Sequence, residues 1–219
     1  ADAHCAVMLP PKLSALLAHL GHEPREFSPA NPAVRSSENI SVIAISRGCI
    51  GNCSFCCVRN ARGALRSYAV DEIAERFSKD LSAGTREFWL TAQDTAAYGA
   101  DINSSLPELL RKLLEHNGDF RIRIGMMNPQ NLLCIYAELM PLMKDARIYK
   151  FLHIPLQSGS DRMLSAMNRS YTACEFLALM KNLRSDIPEL TISTDVIVGF
   201  PGETEADFKA TEQALKKAK

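Results

Sequence analysis

Four of the chain's seven cysteines fall inside nine residues, in the stretch Arg47-Gly-Cys49-Ile-Gly-Asn-Cys53-Ser-Phe-Cys56-Cys57. Three of them, Cys49, Cys53 and Cys56, have the spacing C-x3-C-x2-C. A cubane iron–sulfur cluster is normally held by four thiolates. A set of three leaves one iron without a protein ligand, and an open metal position is where a substrate or cofactor binds. Gly48 and Gly51 suit a loop that must wrap a compact inorganic core, because glycine tolerates positive φ and close backbone approach. Cys57 is adjacent to Cys56 and cannot easily point at the same centre. A structural zinc site would want a fourth Cys or His at a matching offset, and an odd cysteine count in a chain this long argues against a disulfide framework. Buried free thiols are the remaining alternative.

The rest of the chain must deliver that loop. Apolar runs of five to nine residues alternate with amphipathic segments from about Ile40 onward. Ser41–Ser46, Glu87–Thr91, Phe120–Gly125, Tyr149–Ile154 and Leu190–Val198 read as strands. Val70–Ala83, a leucine-rich stretch after Ser105, Asn131–Lys144, a stretch from Asp161, a stretch opened by the Thr172/Glu175 capping box, and Thr204–Lys217 read as helices. Strand–helix alternation predicts an α/β fold with a parallel sheet and about five βα units. Active sites of such folds sit at the C-terminal ends of the strands, and the cysteine loop follows the first strand.

Composition adds limits. Net formal charge is zero, so any contact with nucleic acid must come from a local patch. No apolar run reaches the length of a membrane span. Thiols that bind a cluster must stay reduced, which implies a cytoplasmic protein. Residues 1–21 hold an apolar segment and a short helical stretch, and residues 22–39 read as a Pro- and Ser-rich linker. The chain starts without Met and ends within the last helical stretch, so it reads as a piece of a longer protein.

The C-x3-C-x2-C motif after a strand, with Phe55 before the third cysteine, resembles the radical S-adenosylmethionine (SAM) enzymes. The stretches RGCIGNCSFCCVRNARGALRSY, FWLTAQDTAAYGADI, FLHIPLQSGSDRMLSAMNRSYT and STDVIVGFPGET narrow the resemblance to the radical SAM methylthiotransferases, in the archaeal and eukaryotic branch. That branch acts on N6-threonylcarbamoyladenosine at tRNA position 37, in the anticodon loop. The resemblance implies a partial parallel barrel over residues 40–219, with a sixth βα unit and a C-terminal RNA-binding module missing. Residues 1–21 would be the end of the family's N-terminal domain.

The implied cofactors are a [4Fe-4S] cluster on Cys49, Cys53 and Cys56, with SAM on the open iron. A second, auxiliary cluster is expected only in the full-length protein. Cys5 is preceded by His4 where the family usually has Gly, so it is not assigned as a ligand. Phe55, Gln93, Asp94, Gln157, Ser158, Asp195 and Gly199 are the implied SAM contacts. No side-chain acid or base is required for the radical step. An electron donor is an implied partner. Arg59, Arg62 and Arg66 are candidates to meet tRNA phosphates. His153 reads more readily as a core histidine than as a ligand, and Cys134 and Cys174 as core thiols. The alternatives are methylthiolation of a ribosomal protein or of another modified adenosine, and a non-catalytic iron–sulfur module.

Overall fold

In the computed structural model, residues 39–219 are described. The expected remnant at 1–21 and nearly all of the linker, with Cys5, lie outside them. The elements are β1 (Ile40–Ala44), β2 (Ser46–Arg47), α1 (Val58–Arg62), β3 (Arg66–Ser67), α2 (Val70–Ser82), β4 (Glu87–Thr91), α3 (Leu106–Leu114), β5 (Arg121–Ile124), α4 (Pro129–Met143), β6 (Phe151–His153), α5 (Asp161–Ala166), α6 (Ala173–Asp186), β7 (Thr191–Ser193) and α7 (Glu205–Lys217).

Strands β1, β4 and β5 pair in parallel, with Val42 opposite Trp89 and Trp89 opposite Arg123. β6 and β7 form a second parallel pair. A bridge between Ile122 and Ile148, and the bond from Met127 N to His153 O (2.9 Å), join β5 to the β6 segment. The parallel order is therefore β1-β4-β5-β6-β7, the five strands expected. The last is shorter than Leu190–Val198, because its pairing is interrupted after Ser193 and resumes only as a single parallel bridge between Val196 and Gln157.

Parallel sheets normally read as continuous apolar runs because helices cover both faces. Here burial alternates. Phe88, Leu90, Ile122, Ile124 and Leu152 are fully buried under the helices. Trp89, Thr91, Arg123, Phe151 and His153, on the other face, are half-buried. One face is thus packed and the other lines an open concavity, as in a partial barrel. On that concave face the Arg123 guanidinium sits 5.1 Å from the Trp89 ring and 5.0 Å from the Phe151 ring. Arg123 is therefore stacked against two rings, while Arg121 on the same strand is exposed.

The packed face gathers Phe77 of α2, Phe88 of β4 and Phe120, with ring centroids 4.0 Å apart for the first pair and 5.1 Å for Phe77–Phe120. Burying each such side chain stabilises the fold by about 1.5–3 kcal/mol. Local signals set the helix starts. Ser105 caps α3, Asn128 caps α4, Ser160 caps α5, and Thr172 and Thr204 open α6 and α7 with reciprocal capping boxes. Cys134 and Cys174 are exposed, contrary to the core-thiol reading. Their helices bury Leu132, Leu139 and Met143, and Phe176, Leu179 and Leu183, leaving the cysteines on the outer side.

Candidate functional site

The cysteine loop is closed at its base by a two-residue antiparallel ladder, Ser46 with Ser67 and Arg47 with Arg66. Gly48 follows with φ +71, and a Cβ there would lie 2.0 Å from Ala64 O, so no side chain fits. Cys49 N donates to Gly63 O (3.3 Å). Gly51 N donates to Cys49 Sγ (3.2 Å), and a Cβ on Gly51 would sit 3.3 Å from Cys49 Sγ and 3.9 Å from Cys53 Sγ. Glycine therefore leaves open a space that two of the sulfurs border. Val58 N donates to Cys56 Sγ (3.5 Å). Cys57 is used differently: its carbonyl accepts from Ala61 N (2.9 Å) and starts α1, a short helix that sequence reading missed.

Burial pushes the Cys49 thiol up, the hydrogen bond from Gly51 N pulls it back in part, and the nearby Asp94 carboxylate pushes it further up. Among the described residues no three Cys, His, Asp or Glu side chains converge on a point that would hold a single ion. Soft sulfur donors around a glycine-lined space fit a cluster by donor chemistry.

A second segment straps this loop; it lies within the stretch FLHIPLQSGSDRMLSAMNRSYT, but sequence reading gave none of its residues a role. Ser54 N donates to Met167 O (3.1 Å) and Ser54 Oγ to Ala166 O (2.8 Å). Asn168 Nδ2 donates to Asn52 O (2.7 Å), with Asn168 itself at φ 55. Arg169 Nη1 donates to Cys53 Sγ at 3.1 Å. These residues follow α5 and are more than a hundred positions from the cysteines, so only the fold brings them together.

The loop after β4 carries Gln93 and Asp94. Asp94 is buried and accepts from Ala96 N (3.1 Å), Asn128 N (3.1 Å) and Asn131 Nδ2 (2.6 Å). Burial raises its carboxyl, and these hydrogen bonds pull it back in part. Its structural work is to tie the β4 loop to the start of α4. Gln93 Oε1 is buried and has no hydrogen-bond partner among the described residues. A buried amide oxygen left unpaired costs roughly 1–3 kcal/mol, which a donor from a bound ligand removes.

The β6 and β7 loops meet at the same end. Gln157 adopts φ 68 and exchanges backbone bonds with Asp195 O (2.9 Å) and Ile197 N (2.8 Å). Ser158 is fully buried, and its hydroxyl pairs with Thr211 Oγ1 (3.2 Å) and accepts from Ser160 N (3.2 Å). Its side chain thus anchors α7 and is turned away from the mouth, unlike the expectation. His153 is not a core residue: its Nε2 lies 2.7 Å from Asp195 Oδ2 across the β6–β7 pair. Gly199 has φ +75, is exposed, and has open space where a Cβ would be. Its N–H donates to Glu203 Oε2 (2.5 Å), while Glu203 Oε1 is buried with no hydrogen-bond partner among the described residues. Glu203 was not singled out from sequence.

Phe55 is exposed beside the cysteines. Arg59 and Arg62 lie exposed on α1 and Arg66 exposed on β3, and none forms an ion pair among the described residues. No described helix is long and apolar enough to cross a membrane.

A three-cysteine loop after the first strand of a parallel βα sheet, with polar loops converging at the same end, defines a cluster-dependent enzyme fold. Residues 43–215 match the Radical SAM superfamily, and the chain belongs to that family. Its cofactors are accordingly a [4Fe-4S] cluster and SAM. The chain is 44% identical over 195 residues to the probable threonylcarbamoyladenosine tRNA methylthiotransferase of Archaeoglobus fulgidus, covering 89% of this chain and 46% of that protein. It is 41% identical over 189 residues to the threonylcarbamoyladenosine tRNA methylthiotransferase of Homo sapiens, covering 86% and 33%. The chain thus spans less than half the length of either relative. Among solved structures, the radical SAM methyltransferase TsrM from Kitasatospora setae superposes with a TM-score of 0.67 at 16% identity, over 83% of this chain and 34% of that one. The cobalamin-dependent radical SAM enzyme OxsB gives 0.64 at 12% identity, over 80% and 26%. These two establish the fold alone.

Proposed function

We propose that this chain is the barrel portion of a radical SAM methylthiotransferase that modifies N6-threonylcarbamoyladenosine at position 37 of tRNA. The observation that carries the reading is identity above 40% to proteins bearing that name in both archaea and animals, over more than four-fifths of the chain. The site supports it.

Cys49, Cys53 and Cys56 hold the cluster. The cluster, when bound, supplies the electron that cleaves SAM. The protein's own residues position and shield. The Gln93 amide oxygen accepts from the methionyl amino group, which satisfies an atom otherwise buried alone. Asp94 keeps the β4 loop in place for it. Asp195, oriented by His153, accepts from a ribose hydroxyl. The backbone of Gln157 and of Gly199 lies against the flat adenine, Gly199 with no side chain to obstruct it. Ser158 supports this surface from behind. Phe55 covers the cluster on the open side.

Arg59, Arg62 and Arg66 present exposed cations beside the cysteine loop, without an ion pair among the described residues, where the anticodon-loop phosphates would lie. An external electron donor and a cytoplasmic setting follow from the same chemistry. The auxiliary cluster belongs to the longer protein, since Cys134 and Cys174 point outward from their helices.

The test is mass spectrometry of nucleosides from tRNA incubated anaerobically with SAM, a reductant and the full-length protein. Conversion of threonylcarbamoyladenosine to its 2-methylthio form is the expected result. Modification of a ribosomal protein with the tRNA unchanged would replace this reading with the alternative.

A further inference from the structure

Arg169 is the only side chain outside the cysteine loop whose hydrogen bond to one of the three sulfurs is seen among the described residues. Its placement is over-determined. Nε donates to Tyr171 Oη (3.2 Å), and the guanidinium lies 5.1 Å from the Tyr171 ring centroid. Tyr171 Oη in turn donates to Leu156 O (2.8 Å) and Pro155 O (3.2 Å), so the pair is pinned to the loop after β6. Most of the Arg169 side chain is withdrawn from solvent, and it has no carboxylate partner among the described residues. It borders a pocket of about 230 Å³ shared with Gly51, Cys53, Asn128 and Asn131.

A permanent cation with no compensating anion, fixed against a cysteine sulfur, is costly to bury. A negatively charged cluster beside it removes that cost. Hydrogen bonds to cluster sulfurs and local charge are the levers by which a protein sets a cluster's potential.

Resting on the assignment of the cluster to Cys49, Cys53 and Cys56, we propose that Arg169 sets the electron affinity of that cluster through its bond to Cys53, with Tyr171 as the residue that positions it. Reduction adds one electron from an external low-potential donor, with no bond made or broken. It adds one negative charge to the centre. A guanidinium at hydrogen-bond distance stabilises the more negative state and raises the potential.

The experiment uses anaerobically reconstituted protein without SAM. Arginine is labelled with 15N, the cluster is reduced, and electron–nuclear hyperfine spectra are recorded. A 15N coupling is expected in the wild type and is lost in Arg169→Lys made with the same label. In parallel, the reduced fraction of the cluster is read by EPR at a fixed solution potential. Arg169→Gln should lower the reduced-to-oxidised ratio about tenfold, which is 59 mV for a one-electron couple. Arg169→Lys should recover most of the loss, and Tyr171→Phe should fall between.

Wild-type potential in cluster-loaded Arg169→Gln overturns the proposal. If that variant fails to hold a cluster, the 15N coupling in the unmutated protein decides, and its absence overturns the proposal equally. A wild-type chain that takes up no cluster overturns the cluster assignment itself, a result distinct from a loaded cluster that does not sense Arg169.

Discussion

His153 Nε2 lies 2.7 Å from Asp195 Oδ2, so the last residue of β6 is fastened to the first loop residues after β7. The pair stands at the C-terminal ends of adjacent parallel strands, half open to solvent on the histidine side and more so on the carboxylate side. Asp195 therefore has one oxygen held and one free. If the free one accepts from the SAM ribose, Asp195→Ala should weaken SAM binding by on the order of tenfold, about 1.4 kcal/mol. His153→Ala should have a smaller effect, through orientation only. A SAM titration of the reduced cluster followed by EPR distinguishes the two. Equal affinity in wild type and Asp195→Ala would remove Asp195 from the site.

Serine at Cys49, Cys53 or Cys56 should abolish cluster binding, because a hydroxyl is a poor ligand for iron–sulfide. Cys57→Ser should leave it intact, since the backbone of Cys57 is already engaged in starting α1. Iron and sulfide content with the visible absorption spectrum reports each variant. Retention in Cys56→Ser with loss in Cys57→Ser would mean that the register of the motif is wrong.

Gly48→Ala should disorganise the cysteine loop without unfolding the sheet. The left-handed backbone alone costs about 1–2 kcal/mol for a residue with a Cβ. The 2.0 Å approach to Ala64 O forces the loop base apart as well. Reduced cluster loading with a helical circular-dichroism spectrum close to wild type is the expected pair of observations. Full loading would show that the ladder between β2 and β3 can yield.

Acid stability should depend on Asp145. The Arg147 guanidinium beside it brings its carboxyl down to about 2 from 3.8, and Arg147 also bonds Leu114 O (3.1 Å) and His116 O (2.9 Å). A carboxyl with a lowered folded-state value stabilises the fold above its unfolded value and loses that stabilisation as pH falls through the folded one. The loss should therefore occur between about pH 4 and pH 2. Because the pair is partly exposed, its worth after screening is about 1 kcal/mol. Asp145→Asn should lower the urea midpoint at pH 7 and flatten this limb of the pH profile. An unchanged limb would assign acid unfolding to other carboxylates, such as Asp207 beside Arg162.

Removing Arg59, Arg62 and Arg66 together should weaken tRNA binding at low salt and flatten its salt dependence, by a slope of roughly one for each phosphate no longer met by a cation. The measurement is tRNA affinity at several salt concentrations. A slope equal to wild type would show that these exposed cations face solvent and not RNA.

Much of the local structure was legible in the order of residues, though the short helix α1 was not. The C-x3-C-x2-C spacing, the capping box at Thr172 and the alternation of strands with amphipathic helices depend on near neighbours, and each is where the chain order predicts. Tertiary structure decided what depends on distant partners. Ser158 looked like a ligand contact until Thr211, fifty-three positions away, took its hydroxyl. His153 looked like core until the open concave face left it beside Asp195. Cys134 and Cys174 fell on the outer sides of helices whose inner sides were already filled by Leu, Met and Phe. Arg169 lay within a stretch that carried the family resemblance, but nothing in the chain order gave it a partner. It reaches Cys53 because parallel βα units return every strand end to one side of the sheet, and residues far apart in the chain are gathered there.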